Sequence, residues 1–400
     1  MKMTAINPED YFGLNIKLMS LCGLRCSMTK TIGSFINKVP TFLANLVGII
    51  YLVFQATFVM EAVRLRDVAL TSQILSQLVS NIQCITKGFL FAVSIEKMQS
   101  ILYEIRSLWE RYQPDIEIQE SILDDADRTL NFCKYYVIAN FSCVLAYALP
   151  LVLNLFMQYQ ARESTNHTYD LSQMILLVKY PFEVTKVSRF IILVLLEEYL
   201  LVVSVIIWVS SDTLFAQTTT HICLQFKVLK QDIEKTFNYG GPNSKEILLK
   251  LVHRHRELLR MCMLLEDVFS PIIFFTVFLS SVNMCVNVIG TRETISDKTY
   301  LNTGIYATIL TMTIFQILFF CIFAEKISEE TTSLADMVYN LNWTAKDNQL
   351  GFYIYFIIVR AQRPFYCTAY RFFPIGHQRL TSIIRASFSY YMMLQTTDNK

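Results

Sequence analysis

Apolar residues gather into seven runs along the chain, near 41–60, 70–93, 135–157, 188–216, 268–290, 301–324 and 375–396. A helix crossing the hydrocarbon core of a bilayer needs about 20 mainly apolar residues, so each run is a candidate span. The second is the most polar. Its sequence LTSQILSQLVSNIQCITKGFLFAV carries Gln77, Asn81, Gln83 and Lys87, and one face of such a helix must meet protein or water rather than lipid. The fourth run holds Glu197 beside Glu198; two carboxylates there require a polar surrounding, and Lys87 is the partner to consider.

The segments between the runs are patterned too. Beyond the fourth run, Ile222, Phe226, Leu229 and Ile233 recur at helical spacing until Gly240-Gly241-Pro242 stops the helix. From 245 to 267 a second stripe, Leu248, Leu251, His255, Leu258, Met261 and Leu265, leads into the fifth run. The run 348–362, NQLGFYIYFIIVRAQ, is apolar but too short to span comfortably. From Val359 to Pro374 stands VRAQRPFYCTAYRFFP, with three arginines and two prolines. Each proline removes a backbone donor and pushes its predecessor out of helical geometry, so this stretch is a joint rather than part of one helix.

Composition fits a membrane protein: 53% of residues are hydrophobic and 17% charged, and the mean hydropathy is +0.38. A net charge of +2 without a dense basic patch argues against nucleic acid. Lys and Arg number 23 in the N-terminal segment and the loops after runs two, four and six, against 8 in the opposite set. The positive-inside rule then places the N-terminus in the cytosol and the C-terminus outside. Asn166-His167-Thr168 is a glycosylation sequon on the side this topology exposes, whereas Asn342-Trp343-Thr344 falls on the cytosolic side. The first forty residues lack the pattern of a removable signal peptide. Ten scattered cysteines show no CxxC pair, so reduced, buried thiols are expected. His253 and His255 stand on opposite faces, a poor metal pair. With no HExxH, nucleophile elbow or P-loop, the expectation is a non-enzyme without cofactor or metal.

Toward its end the sequence becomes specific. Cys321 and Glu325 close the sixth run, Trp343 follows a tyrosine-containing helix, and then come Arg360-Ala361-Gln362-Arg363-Pro364, Phe372-Phe373-Pro374 and Ser389-Tyr390-Tyr391. In this order, with Asp212, Phe215, His255 and Phe269-Ser270-Pro271 upstream, the chain resembles the insect odorant receptor family over about 180–397. Ala324 departs from the glycine many members carry there. The ending differs from that of gustatory receptors, and the loop after run four is shorter than in the family's shared co-receptor, so the resemblance is to a ligand-tuning subunit. A gustatory receptor channel, a seven-helix transporter and a G-protein-coupled receptor are the alternatives. The last two lack, respectively, paired broken helices and the DRY and NPxxY signatures.

The resemblance implies an all-α membrane protein with seven transmembrane helices, a cytosolic N-terminus, a cytosolic helical anchor domain and a split seventh helix. Its parts would be a cytosolic segment (1–40), helices 1–4 with the odorant pocket (41–216), anchor helices (217–267), helices 5–6 (268–324), further anchor helices (325–371), and the pore helix with an extracellular C-terminus (372–400). The implied function is an odorant-gated nonselective cation channel, a heterotetramer with co-receptor subunits in the plasma membrane of olfactory sensory neurons. The family's pocket location transfers to Ile74, Gln77, Leu78 and Asn81; Tyr147, Leu151 and Asn154; Phe182, Ile191 and Val194; and Tyr306 with Ile309. The pore face becomes Ala386, Ser389, Met393 and Thr397, with Met393 the apolar gate or an ordinary packing residue. Trp343, Tyr353 and Phe356 become anchor contacts and Asn166 the glycan site.

Overall fold

The computed structural model describes residues 6–24, 26–28, 39–164, 171, 174–238, 244–296, 298–341, 348–378, 381–383, 385, 386 and 389. A short helix α1 (Glu9–Leu21) precedes six long ones: α2 (Val39–Arg64), α3 (Val68–Arg111), α4 (Ile116–Ser164), α5 (Val187–Asn238), α6 (Ser244–Ser296) and α7 (Tyr300–Tyr339). Then come α8 (Asn348–Ala361) and a two-stranded hairpin, β1 (Thr368–Ala369) with β2 (Phe373–Pro374). The six long helices are long and apolar enough to cross a membrane. They hold the first six predicted spans. The described part of the seventh is helical from His377 onward, at 377, 378, 381–383, 385, 386 and 389.

The helices run far past the bilayer. At 1.5 Å per residue, the 52 residues of α5 reach about 78 Å, more than twice a hydrocarbon core. The segment 94–134, expected as a loop of some forty residues, is helix nearly throughout; α3 continues to Arg111 and α4 begins at Ile116. The N-terminal segment contains α1. Its buried Tyr11, Phe12, Asn15 and Met19 fall at the i, i+4 spacing of one face. Phe12 and Tyr11 set their rings 5.0 and 5.2 Å from that of His221, whose Nδ1 accepts from Trp109 Nε1 at 3.1 Å. Both predicted stripes beyond the spans are buried, including Ile222, Phe226 and Leu229 on α5 and Leu248, Leu258 and Leu265 on α6.

At the centre stands α5, buried at every residue from Val209 to Phe226 and touching α1, α2, α3, α4, α6 and α7. Asp212 is the hub of a polar network there. Lys87 Nζ lies 2.6 Å from its Oδ1, while Tyr136 OH and Gln316 Nε2 each donate to Oδ2 at 2.9 Å. Gln83 Nε2 donates to Gln316 Oε1 at 3.1 Å, and Ser280 Oγ to the same oxygen at 3.3 Å. Farther along, Ser76 Oγ donates to Asn283 Oδ1 at 2.9 Å and Asn283 Nδ2 to Ser80 Oγ at 3.1 Å. The polarity of the second run is thereby explained, since its Gln83 and Lys87 face α5, α6 and α7. Lys87 serves Asp212 and not Glu197 or Glu198, which corrects the pairing considered from the sequence.

The joint docks on α6. Glu266 accepts the Thr368 backbone N–H at 3.0 Å and also its hydroxyl, and Ser270 Oγ accepts the Tyr370 N–H at 2.8 Å. Tyr370 and Arg371 take φ of 52° and 61°, the left-handed pair that turns a tight hairpin. Ile375 N donates to Cys367 O at 2.8 Å, closing it. Replacing Glu266 with alanine leaves two donors without an acceptor. We expect it to destabilise the protein by about 2–3 kcal/mol, and Thr368→Val, which keeps the backbone bond, by less. Thermal melting in detergent, read by size-exclusion chromatography, measures both.

The candidate ligand site and its strap

Helix α2 carries a narrow polar stripe. Thr41, Asn45, Gly48, Tyr51 and Gln55 follow one another at three- or four-residue intervals and so share the face toward α3. Gly48 brings the helices close; a Cβ there would stand 3.1 Å from Ile85 Cδ1. Asn81 Nδ2 donates to Gln55 Oε1 at 2.8 Å. Between α2, α3 and α5 this leaves a cavity of about 30 Å³, walled by Asn45, Gly48, Tyr51, Asn81, Cys84, Ser204, Leu176 and neighbouring aliphatic side chains. It is amphiphilic and narrow.

Over it runs residues 174–180, which take no regular secondary structure. An unpaired backbone needs acceptors when covered, and Glu197 provides them. Its Oε2 accepts the N–H groups of Ile175 and Leu176 at 3.0 and 2.9 Å, and its Oε1 accepts from Tyr180 OH. Tyr180 OH also lies 3.1 Å from Tyr51 OH. Leu177 N donates to Gln77 Oε1 at 3.0 Å, and Lys179 pairs with Glu61 at 2.6 Å. The carboxylate that looks misplaced in the fourth run is therefore a latch for a strap joining α4 to α5. Glu198 is half-buried and its Oε2 has no hydrogen-bond partner among the described residues.

The predicted pocket residues do not converge on one space. Leu151 is buried with Ile175 and Phe190, and Val194 packs against them. Gln77 holds the strap, and Asn81 is the one predicted residue that lines the cavity. Ile74 is fully buried, Leu78 and Ile309 are half-buried, and Asn154 is half-buried and accepts from Gln158 Nε2 at 3.3 Å. Tyr306 is buried and donates to Ala69 O at 2.7 Å, its ring filling the space where a Cβ on Gly290 would stand. Phe182 and Ile191 turn outward, 49% and 47% exposed. The side chain of Tyr147 lies outside the described residues. Sequence reasoning missed Asn45, Gly48, Tyr51 and Gln55, although the polar stripe at helical spacing in the first run was a signal for them.

Farther along α7, Glu325 ties this helix to the start of the last one. Its Oε2 accepts from His377 N at 3.4 Å, and it occupies the space a Cβ on Gly376 would fill. Ala386 and Ser389 are exposed on that helix. Met393, Thr397, Trp343 and Asn166 lie outside the described residues. Tyr353 packs against the core, while Phe356 stays 53% exposed beside Phe352.

A profile of the 7tm Odorant receptor family matches residues 67–388, spanning the strap, the Asp212 network and the joint. The chain belongs to the odorant receptor family. As a member it is a multi-pass membrane protein. Odorant receptor 13a of Drosophila melanogaster is 26% identical over 209 residues, 47% of this chain and 48% of that one. Odorant receptor 45a of the same species is 29% identical over 192 residues, 47% of this chain and 48% of that one. The chain thus spans about half the length of these curated relatives in the matched region, while Odorant receptor 9a, 20% identical, is matched over 90% of both chains. In fold it is similar to the insect olfactory receptor OR5 from Machilis hrabei, with a TM-score of 0.77 at 17% identity, covering 96% of this chain and 97% of that one. A structure of that receptor in complex with eugenol matches with a TM-score of 0.77 at 18% identity, over 97% and 98% of the two chains.

Two outcomes follow for this chain. Glu197→Leu frees the strap, and hydrogen-exchange mass spectrometry should show the amides of Ile175 and Leu176 exchanging at least tenfold faster. Gly290→Ala gains about 1 kcal/mol of helix propensity but overlaps the Tyr306 ring. The overlap dominates, and melting should report a net loss of about 1–2 kcal/mol.

Proposed function

We propose that this chain is the odorant-binding subunit of a ligand-gated, nonselective cation channel, assembled as a tetramer with odorant co-receptor subunits in the plasma membrane of olfactory sensory neurons. The observation that carries the reading is the family match across 67–388. The related receptor solved with eugenol supports a small volatile as the ligand class. The N-terminus is cytosolic, Asn166 is extracellular and glycosylated, and the last helix lines the pore with Met393 as its apolar gate. The inner parts of α5 and α6, the end of α7 and α8 form the cytosolic anchor, with Trp343, Tyr353 and Phe356 at contacts between subunits.

Helix α7 supports a route from ligand to gate. One continuous helix holds Tyr306 in its outer part, Gln316 in the Asp212 network and Glu325 against the start of the last helix. A volatile that fits better among α3, α4, α5 and α7 when α7 is displaced favours the open arrangement by that difference in affinity, and by no more. The displacement reaches the last helix through Glu325. A ring of apolar side chains closes a pore by dewetting and opens when the helices move apart.

Coexpression with a co-receptor, followed by recording of odorant-evoked current, tests this. Cation current is expected only when both subunits are present, and Met393→Ala should raise the current that flows without odorant. A variant with unchanged gating and permeation removes Met393 from the gate. A glycan on Asn342 instead of Asn166 inverts the topology.

A further inference from the structure

The joint carries an aromatic patch that the fold leaves uncovered. Phe274 of α6 sets its ring 5.9 Å from that of Tyr370 and 5.6 Å from that of Phe372, and Phe278, one turn farther along α6, stacks on Phe274 at 6.3 Å. Tyr370, Phe372 and Phe278 are 55%, 73% and 56% exposed. Phe274 stands inside the fifth apolar run, which opens at 268, about 9 Å along the helix from that end at the usual rise. The tip of the hairpin therefore lies at the edge of the hydrocarbon layer, where aromatic rings are enriched.

The turn adds a second observation. A hairpin turn with two left-handed residues ordinarily takes Asn-Gly, because a larger side chain is penalised there. Tyr370 and Arg371 hold those positions here, at φ of 52° and 61°, so backbone ease is given up for an aromatic ring and a cation at the tip. Arg360, Arg363 and Arg371 are all exposed, and among the described residues none of them pairs with a carboxylate. Glu266 and Glu325, which touch this segment, already accept the backbone N–H groups of Thr368 and His377. The patch thus joins apolar rings to uncompensated positive charge.

We propose that the hairpin tip is a binding site for an anionic phospholipid of the cytosolic leaflet, with the headgroup phosphate on Arg371 and the acyl chains along Phe372, Phe274 and Phe278. The charges are complementary, and a guanidinium takes a phosphate through two parallel N–H bonds. An arginine at the edge of hydrocarbon extends toward that headgroup layer. A second copy of the chain fits less well, since the patch meeting itself would set Arg371 against Arg371. The choice of leaflet rests on the cytosolic reading of this side, whereas the binding chemistry does not. A lipid so held braces the segment between α8 and the last helix.

Native mass spectrometry of the purified full-length protein in detergent micelles tests the site, with phosphatidylserine and phosphatidylcholine offered in equal amounts; the second shields its phosphate with its own cation. One arginine at an anionic headgroup contributes about fivefold, so the wild type should retain phosphatidylserine over phosphatidylcholine by at least about that factor. Arg371→Gln should lower the ratio about fivefold, Arg371→Lys should keep most of it, and Phe372→Ser should weaken retention of both lipids. Arg66→Gln, at the exposed turn between α2 and α3, should change nothing. Installing the ordinary turn with Tyr370→Asn and Arg371→Gly together should raise the melting temperature and abolish the preference. Equal retention of both lipids by the wild type, or a ratio unchanged in Arg371→Gln, overturns the site. An oligomer that falls apart in Arg371→Gln and Phe372→Ser while the lipid ratio holds overturns it too, and gives the patch to a second copy of the chain. The readout is lipid retained by the purified chain, so an inverted topology or absent odorant-evoked current leaves it unmoved, and its failure says nothing against odorant gating.

Discussion

Everything in the bundle is arranged around one buried ion pair. Lys87 and Asp212 are 1% and 0% exposed in their side chains, and charges so placed are tolerated only when paired and hydrogen-bonded on their remaining sides. Asp212 is held by Lys87 of α3, Tyr136 of α4 and Gln316 of α7. Lys87 also stands 4.6 Å from the Trp208 ring and 5.6 Å from that of Phe320, which adds cation–π attraction in a dry setting. Through Gln316, Ser280 of α6 joins. Five long helices therefore share one electrostatic centre. Sliding any of them past its neighbours strands a charge or a donor, which fixes the register far more tightly than apolar packing alone.

That centre divides the chain into halves of different character. From it toward Phe226, α5 is buried on all sides and α1, α3, α4, α6 and α7 close around it, with Trp109, His221 and Phe12 in contact. On the side toward the strap the packing breaks into small separate clusters, around Tyr51, Leu176 and Leu200 and around Leu151, Ile175 and Phe190, the first of them lining the cavity and each including a strap residue. Such regions open locally at low cost. A tightly packed half and a looser half are what the proposed function requires, the first for contacts between subunits and the second for admitting small molecules.

Much of this was legible in the sequence, for physical reasons. Six apolar runs match six long helices, and the stripes through Ile222 and Leu248 lie on buried faces, because a period of 3.6 residues survives wherever one face is buried. The break at Pro364 and Pro374 was visible as chemistry, since proline acts locally. What escaped depended on partners distant in sequence. Residues 94–134 read as a loop because their charged residues sit on the exposed faces of α3 and α4. Lys87 is 125 residues from Asp212, and no spacing rule could choose it over Glu197. Glu197 itself binds backbone N–H groups of a strap with no pattern of its own. The cavity wall on α2 was readable in principle, since Asn45, Gly48 and Tyr51 fall on one stripe.

The claim that the Lys87–Asp212 pair sets the packing is tested most directly by a double-mutant cycle on thermal unfolding in detergent, using Lys87→Met, Asp212→Leu and both together. The account predicts that each single change destabilises the protein strongly. The double variant should be more stable than the sum of the two losses implies, by about 1–3 kcal/mol of coupling. Additive losses, with no coupling between the two positions, would contradict it.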